Sequence, residues 1–141
     1  EIYFLLGTLY LNKNELNKAD ECLKQSIKLD SNNPRSFHNL GILNILKKNI
    51  NEAKSFFKLA YSKDSNYINA LIELGKIYEN ENNFTEAKNY YFKALKVDNK
   101  NYIVNFRIAK LLHNNFYFKE SSEYYKKSIG LITINGSKLE I

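Results

Sequence analysis

The sequence predicts an all-α solenoid of stacked antiparallel helix pairs, and three series of residues predict it. Leu6-Gly7, Leu40-Gly41 and Leu74-Gly75 stand 34 residues apart, and Ile108-Ala109 follows in register. Ala19, Ala53 and Ala87 keep the same spacing, with Ser121 next, and Leu23, Phe57, Tyr91 and Tyr125 form the third series. A gapless period of this length marks a chain in which each unit buries its apolar face on its neighbours. The units run over residues 1–33, 34–67, 68–101 and 102–132, so the array covers 1–132. Residues 133–141 are expected to start a further helix or to form a disordered end.

Each unit reads as helix A, a short turn and helix B. In the first unit Tyr3, Leu6 and Tyr10 recur at helical steps and are expected to face the core. Asn12, Asn14 and Asn17 supply the turn. Asn33 then Pro34 opens the second helix A, with Pro where its missing N–H costs nothing. In the third unit helix A is expected over 69–80 and helix B over 86–97. Asn17, Asn51 and Thr85 are expected to cap each helix B, because their side chains accept from free backbone N–H groups. Gly7, Gly41 and Gly75 are expected to let helix A approach helix B, meeting Ala19, Ala53 and Ala87. Close packing would offset the roughly 0.5–1 kcal/mol that glycine costs inside a helix.

Tyr3-x2-Leu6-Gly7-x2-Tyr10…Ala19-x3-Leu23 and Leu71-x2-Leu74-Gly75-x2-Tyr78…Ala87-x3-Tyr91 follow the pattern W-x2-L-G-x2-Y…A-x3-F. On these residues the chain resembles the tetratricopeptide repeat (TPR) family. The resemblance implies a right-handed superhelix whose helix-A residues line a concave side where partner peptides bind. The chain departs from the pattern in places. Ser31, Ser65 and Asn99 follow the Asp that ends each helix B, where the family often has Pro. Asn44 and Asn105 replace aromatic residues, and the fourth unit is the least regular.

Composition narrows the function. The 21 Lys and Arg against 15 Asp and Glu give a net charge of +6, yet the lysines are scattered among Glu and Asn rather than gathered on a face. Nucleic-acid binding needs clustering, so the lysines are read as a solvated surface. Neither an apolar run of membrane-spanning length nor a secretory leader is seen. The chain lacks Met and opens inside a repeat, which leads to the expectation of an excerpt from a longer protein. Cys22 is the single cysteine, read as an inert thiol in a reducing compartment. The expected location is cytoplasmic, with the nucleus left open.

No catalytic or cofactor signature is present: the glycines are dispersed, and His38 and His113 stand two units apart without a third ligand. Glu79 and Glu81 read as solvated carboxylates. The chain is therefore read as a non-enzyme with no cofactor and no metal. Asn83-Phe84-Thr85 and Asn135-Gly136-Ser137 match the glycosylation pattern, which an Asn-rich chain produces by composition alone.

The resemblance places Phe4, Thr8, Leu11, Arg35, His38, Asn39, Ile42, Ile45, Leu46, Ile72, Glu73, Lys76, Phe106, Arg107 and Lys110 along the groove. Phe4, Thr8 and Leu11 lie at i, i+4 and i+7, a stripe offset from Tyr3, Leu6 and Tyr10. Such a second stripe either packs on the next helix A or forms an apolar groove for a partner. The third and fourth units make that face polar. The family's carboxylate clamp does not fit, because its places hold too few cations and include Glu73, which would repel a carboxylate. The asparagine ladder of some glycosyltransferase arrays is absent too: its places hold Leu5, Asn39, Glu73 and Arg107. The expected function is a non-catalytic protein–protein interaction scaffold binding a peptide or helix in the groove. Two alternatives stand beside it: a structural superhelix segment of a multi-subunit assembly, and an accessory array of an enzyme whose catalytic domain lies outside this stretch. Self-association is expected to be weak and to run through uncapped ends.

Overall fold

A computed structural model describes residues 1–135, with side chains through residue 130. Of residues 133–141, where a further helix or a disordered end was expected, 133–135 continue the last helix and 136–141 lie outside the described residues. Eight helices follow one another: α1 Ile2–Asn12, α2 Leu16–Leu29, α3 Pro34–Leu46, α4 Ile50–Lys63, α5 Ile68–Asn80, α6 Phe84–Val97, α7 Tyr102–Asn114 and α8 Phe118–Asn135. No strand occurs among the described residues. Odd-numbered helices are the A helices and even-numbered ones the B helices. The chain divides into two compact units, Glu1–Ala70 and Leu71–Ile141.

The turn between A and B is the same device four times. Asn14, Lys48, Asn82 and Phe116, each 34 residues from the next, have φ of 58, 63, 57 and 67°. In the first, the Asn14 N–H donates to Leu11 O and the Glu15 N–H to Tyr10 O, at 3.0 and 2.9 Å. The other three turns repeat both bonds. This is the Schellman closure, which satisfies the last carbonyls of helix A and reverses the chain in three residues. The N-cap of helix B then lies two residues earlier than expected. The residues at its N-cap are Glu15, Asn49 and Asn83, not Asn17, Asn51 and Thr85. Only Asn83 of these accepts a bond with its side chain, from the Glu86 N–H at 3.2 Å. The left-handed residue sets the start of helix B, and that constraint outweighs the preference for an asparagine further on. Asn33 caps α3 ahead of Pro34 as the sequence suggests, accepting from the Arg35 N–H.

The glycines mark close contact, but with a different partner from the one expected. A Cβ on Gly7 would lie 2.7 Å from Leu23 Cγ, and one on Gly41 would lie 2.5 Å from Phe57 Cε1. A Cβ on Gly75 would collide with the ring of Tyr91. The large residue of helix B, not the alanine one turn before it, lies over each glycine. Ala19, Ala53 and Ala87 are fully buried nonetheless. In the fourth repeat Ala109 stands at the glycine position and Tyr125, unlike Tyr91, is only half-buried.

In the first unit, Ala19, Leu23, Leu40 and Leu43 form the core, with Phe4, Tyr10, Leu11, Ile27 and Phe56 packed against them. Ser26 and Ser36, both buried, join α2 to α3 by a 2.8 Å hydrogen bond. Tyr3 and Leu6, expected in the core, are 43% and 37% exposed. Their counterparts Phe37 and Leu40 are buried where α2 packs on α3. In the second unit Leu71, Leu74, Tyr91, Val104, Ile108 and Leu112 are buried.

Candidate functional site

Along α3 the side chains divide sharply. Ser36, Phe37, Leu40, Gly41, Leu43 and Asn44 are buried. Arg35, Asn39, Ile42 and Leu46, at steps of four, three and four, remain exposed or half-exposed and form one stripe. Leu46 is 48% exposed. The stripe is polar at its N-terminal end and apolar at its C-terminal end.

The polar end is held by α1. Thr8 Oγ1 donates to Phe4 O at 2.8 Å and accepts from Asn39 Nδ2 at 2.8 Å. The Arg35 guanidinium lies 4.8 Å over the Phe4 ring and 3.5 Å from the Glu1 carboxylate. Phe4, Thr8, Arg35 and Asn39, singled out in the sequence, are therefore brought together across two helices. Their geometry also resolves the second apolar stripe of α1. Phe4 and Leu11 pack on the core that includes Leu40 and Leu43, so stacking on the next helix A absorbs much of their apolar surface. Leu5 and Leu9 of α1 stay exposed instead. His38 turns away from the stripe and sets its ring against Phe57 and Tyr67, at centroid distances of 5.3 and 5.6 Å. Ile45 is half-buried.

The second unit presents a charged counterpart. Lys76 Nζ donates to Glu73 at 2.7 Å within α5. Ile72, expected on this face, is 6% exposed and belongs to the core. An isoleucine suits that place, because burial takes its apolar surface out of water. On α7, Ile103 and Phe106 are exposed, with Arg107 half-buried and Lys110 exposed beside them. Phe106 also sets its ring against Tyr125, at a centroid distance of 5.9 Å.

Glu79 was read as a solvated carboxylate and is not one. Its side chain is 15% exposed and accepts from the Tyr91 hydroxyl at 2.7 Å, with Lys110 Nζ 4.0 Å away. Burial, then the bond to Glu79 and its charge, push the Tyr91 hydroxyl far above the ordinary tyrosine value. The sequence did carry a signal for this pair. Glu79 breaks an apolar column that reads Leu11, Ile45 in the first two repeats, and Tyr91 brings a hydroxyl into the column of Leu23 and Phe57. A polar residue entering both columns at once is the signature of a buried bond.

Among the described residues, no group of three His, Cys, Asp or Glu could hold a metal ion, and no helix is long and apolar enough to cross a membrane. His113 sets its ring against Phe118 and Tyr125.

The profile of the tetratricopeptide repeat matches residues 1–33, 34–67, 68–101 and 103–133. No curated protein sequence matches the chain significantly. Solved structures do. A crystal structure of MamA superposes with a TM-score of 0.84 at 21% identity, covering 94% of this chain and 78% of that one. PilF of Pseudomonas aeruginosa superposes at 0.80 and 23% identity, with 96% and 60% covered. YrrB, described as a TPR protein with an unusual peptide-binding site, superposes at 0.74 and 19% identity, with 92% and 66% covered. At these identities the likeness is one of fold. The repeats support a protein–protein interaction scaffold in general terms, and the chain belongs to the tetratricopeptide repeat family.

Proposed function

We propose that the chain is a non-catalytic scaffold that binds a partner peptide or helix along its A helices. One observation carries this reading: Arg35 and Leu46 are exposed and Asn39 and Ile42 half-exposed on one face of α3, while Ser36, Phe37, Leu40, Gly41, Leu43 and Asn44 are buried. Leu46 and Ile42 would bury apolar side chains of the partner, with Ile45 beside them. Burying one such residue contributes about 1.5–3 kcal/mol, so two or three suffice for a micromolar complex. Thr8 holds Asn39, and Phe4 with Glu1 holds Arg35, so the polar end arrives preorganised to fix the partner's direction. His38 and Leu11 support the stripe from within. In the second unit Glu73, Lys76, Phe106, Arg107 and Lys110 form a more polar stretch, where exposed ion pairs contribute only about 0–1 kcal/mol and set orientation more than affinity. YrrB, which shares the fold, is described as binding peptides and supports the class of ligand.

The test is a peptide selected from a displayed random library on this protein, then titrated calorimetrically against two variants. Ile42→Ser with Leu46→Asp is expected to weaken binding at least thirtyfold. Lys76→Glu with Lys110→Glu is expected to change it less than fivefold. The reverse ranking, with both variants folded by circular dichroism, overturns the apolar anchor.

A further inference from the structure

A second surface in the first unit carries a site that the A-helix stripe does not include. Between α2, α3 and α4 lies an open cavity of about 480 Å³. Phe37 and Leu40 form its floor, Ile27 and Phe56 its walls, and Lys24 and Lys28 stand at its rim. The size falls within the range of ligand pockets, and the floor and walls are apolar.

The second unit shows what fills such a place. The residues 68 positions on from Lys24 and Phe56 are Phe92 and Tyr124. There the two rings meet edge to face, with centroids 5.9 Å apart and planes at 81°. That arrangement suits the charge distribution of aromatic rings. In the first unit Lys24 replaces the ring, and its ammonium is drawn along its own helix to Asp20 at 2.8 Å. The Phe56 ring therefore lacks the partner that Tyr124 has, and the cavity stands over it.

The geometry points to an aromatic side chain of a partner protein, flanked by carboxylates, as the occupant of this cavity. The ring takes the place that Phe92 takes in the second unit. The flanking acids answer the rim, where Lys24 and Lys28 face solvent and Lys63 stands 5.8 Å over the Phe37 ring. Asp20 offsets Lys24 and Glu21 offsets Lys28, so the excess positive charge beside the cavity is that of Lys63 over the Phe37 ring. Charge of this kind selects among aromatic segments more than it adds affinity. The site is independent of the A-helix stripe, because none of the stripe's four residues lines it.

The probe is acetyl-Glu-Phe-Glu-amide, titrated into the isotope-labelled protein and followed by amide chemical shifts. Saturable shifts at Lys28, Phe37 and Phe56 are expected, at least tenfold weaker with acetyl-Glu-Ala-Glu-amide. Lys24→Phe should fill the cavity from within, as Phe92 does, and weaken the probe at least tenfold while leaving the fold intact. Lys28→Glu should weaken it about fivefold and leave acetyl-Gly-Phe-Gly-amide unchanged. Undiminished binding to Lys24→Phe, equal binding of acetyl-Lys-Phe-Lys-amide, or shifts confined to the α1 and α3 stripe would each overturn the proposal. The last outcome would leave the A-helix reading standing.

Discussion

In the first unit Leu11 packs on a core that contains Leu23, and the contact is apolar on both sides. Sixty-eight residues on, Glu79 and Tyr91 hold the same two places and are joined by a 2.7 Å hydrogen bond. Ser121, in the alanine column, likewise donates to Ala109 O at 2.9 Å inside the second unit. The same backbone register is thus closed by burial in one unit and partly by hydrogen bonds in the other. A helix pair demands only that the column be filled and its polar atoms satisfied. That freedom lets the surface differ as well: α3 exposes Ile42 and Leu46, while α5 and α7 expose Lys76 and Lys110.

The sharpest way to break the shared register is at the glycine. In Gly41→Leu the first added carbon already lies 2.5 Å from the buried Phe57 ring, which has no exposed direction in which to move. Overpacking costs typically about 1–3 kcal/mol, and this case is expected at or above the upper end. Lys58→Leu, on an exposed position of α4, is the control and should shift a urea midpoint by less than roughly 0.5 kcal/mol. Equal midpoints would mean that the helices are not held together at the glycine.

That comparison also shows what the residues announced. The period exposes the helix pairs, because glycine, alanine and large apolar residues recur at fixed places whatever lies between them. The α5 and α6 boundaries came within two residues for the same reason. Partners within a pair were harder. Gly41 was assigned to Ala53 although Phe57 covers it, since spacing gives the face of a helix and not which turn of its neighbour lies opposite. The cap positions went astray because the left-handed residue is Asn, Lys, Asn and then Phe, a column with no common chemistry. At the candidate site, Arg35, Asn39, Ile42 and Leu46 were named together with His38 and Ile45, and the sequence alone did not separate the two sets. The burial of Ile72 and the turning of His38 toward Phe57 depend on stacking, which no single helix reveals.

The hydrogen-bonded closure of the second unit can be sharpened by Tyr91→Phe. Removing the hydroxyl leaves a mostly buried carboxylate without its donor and is expected to cost about 1–2 kcal/mol. The matching change in the first unit, Leu23→Ile, keeps an apolar contact and is expected to cost less than about 1.5 kcal/mol. The two units should also differ in pH dependence. Tyr91 is raised above the ordinary value of 10.0 by burial first and Glu79 second. The folded protein therefore keeps this proton where the unfolded chain has released it. Its contribution is complete below pH 10.0 and is lost as the pH rises above it. Urea midpoints measured from pH 8 to 11 should fall more steeply for the wild type than for Tyr91→Phe. Parallel curves would show that the Tyr91–Glu79 bond does not govern the alkaline limb.

The smallest effect is expected at the turn, where all four repeats share a geometry and two of them, with Lys48 and Phe116, lack the short polar side chain that suits it. Asn14 and Asn82 tolerate left-handed backbone, because a short polar side chain relieves the crowding of Cβ against the chain. Phe116 adopts the same conformation with φ 67° and gains little in return, its side chain being 80% exposed. Its ring touches Phe118 edge to face at 6.1 Å, an exposed contact of small value. Phe116→Asn should therefore stabilise the fourth repeat, by a few tenths to about 1 kcal/mol, while keeping the 3.0 Å bond from the N–H of residue 116 to His113 O. Asparagine is preferred to glycine here, since glycine would also widen the freedom of the unfolded chain and cancel part of the gain. The reverse change, Asn82→Phe, should destabilise the third repeat by a similar amount. A urea midpoint for Phe116→Asn below that of the wild type would mean that the exposed aromatic residues around Phe118 hold the last helix pair together more than the turn strains it.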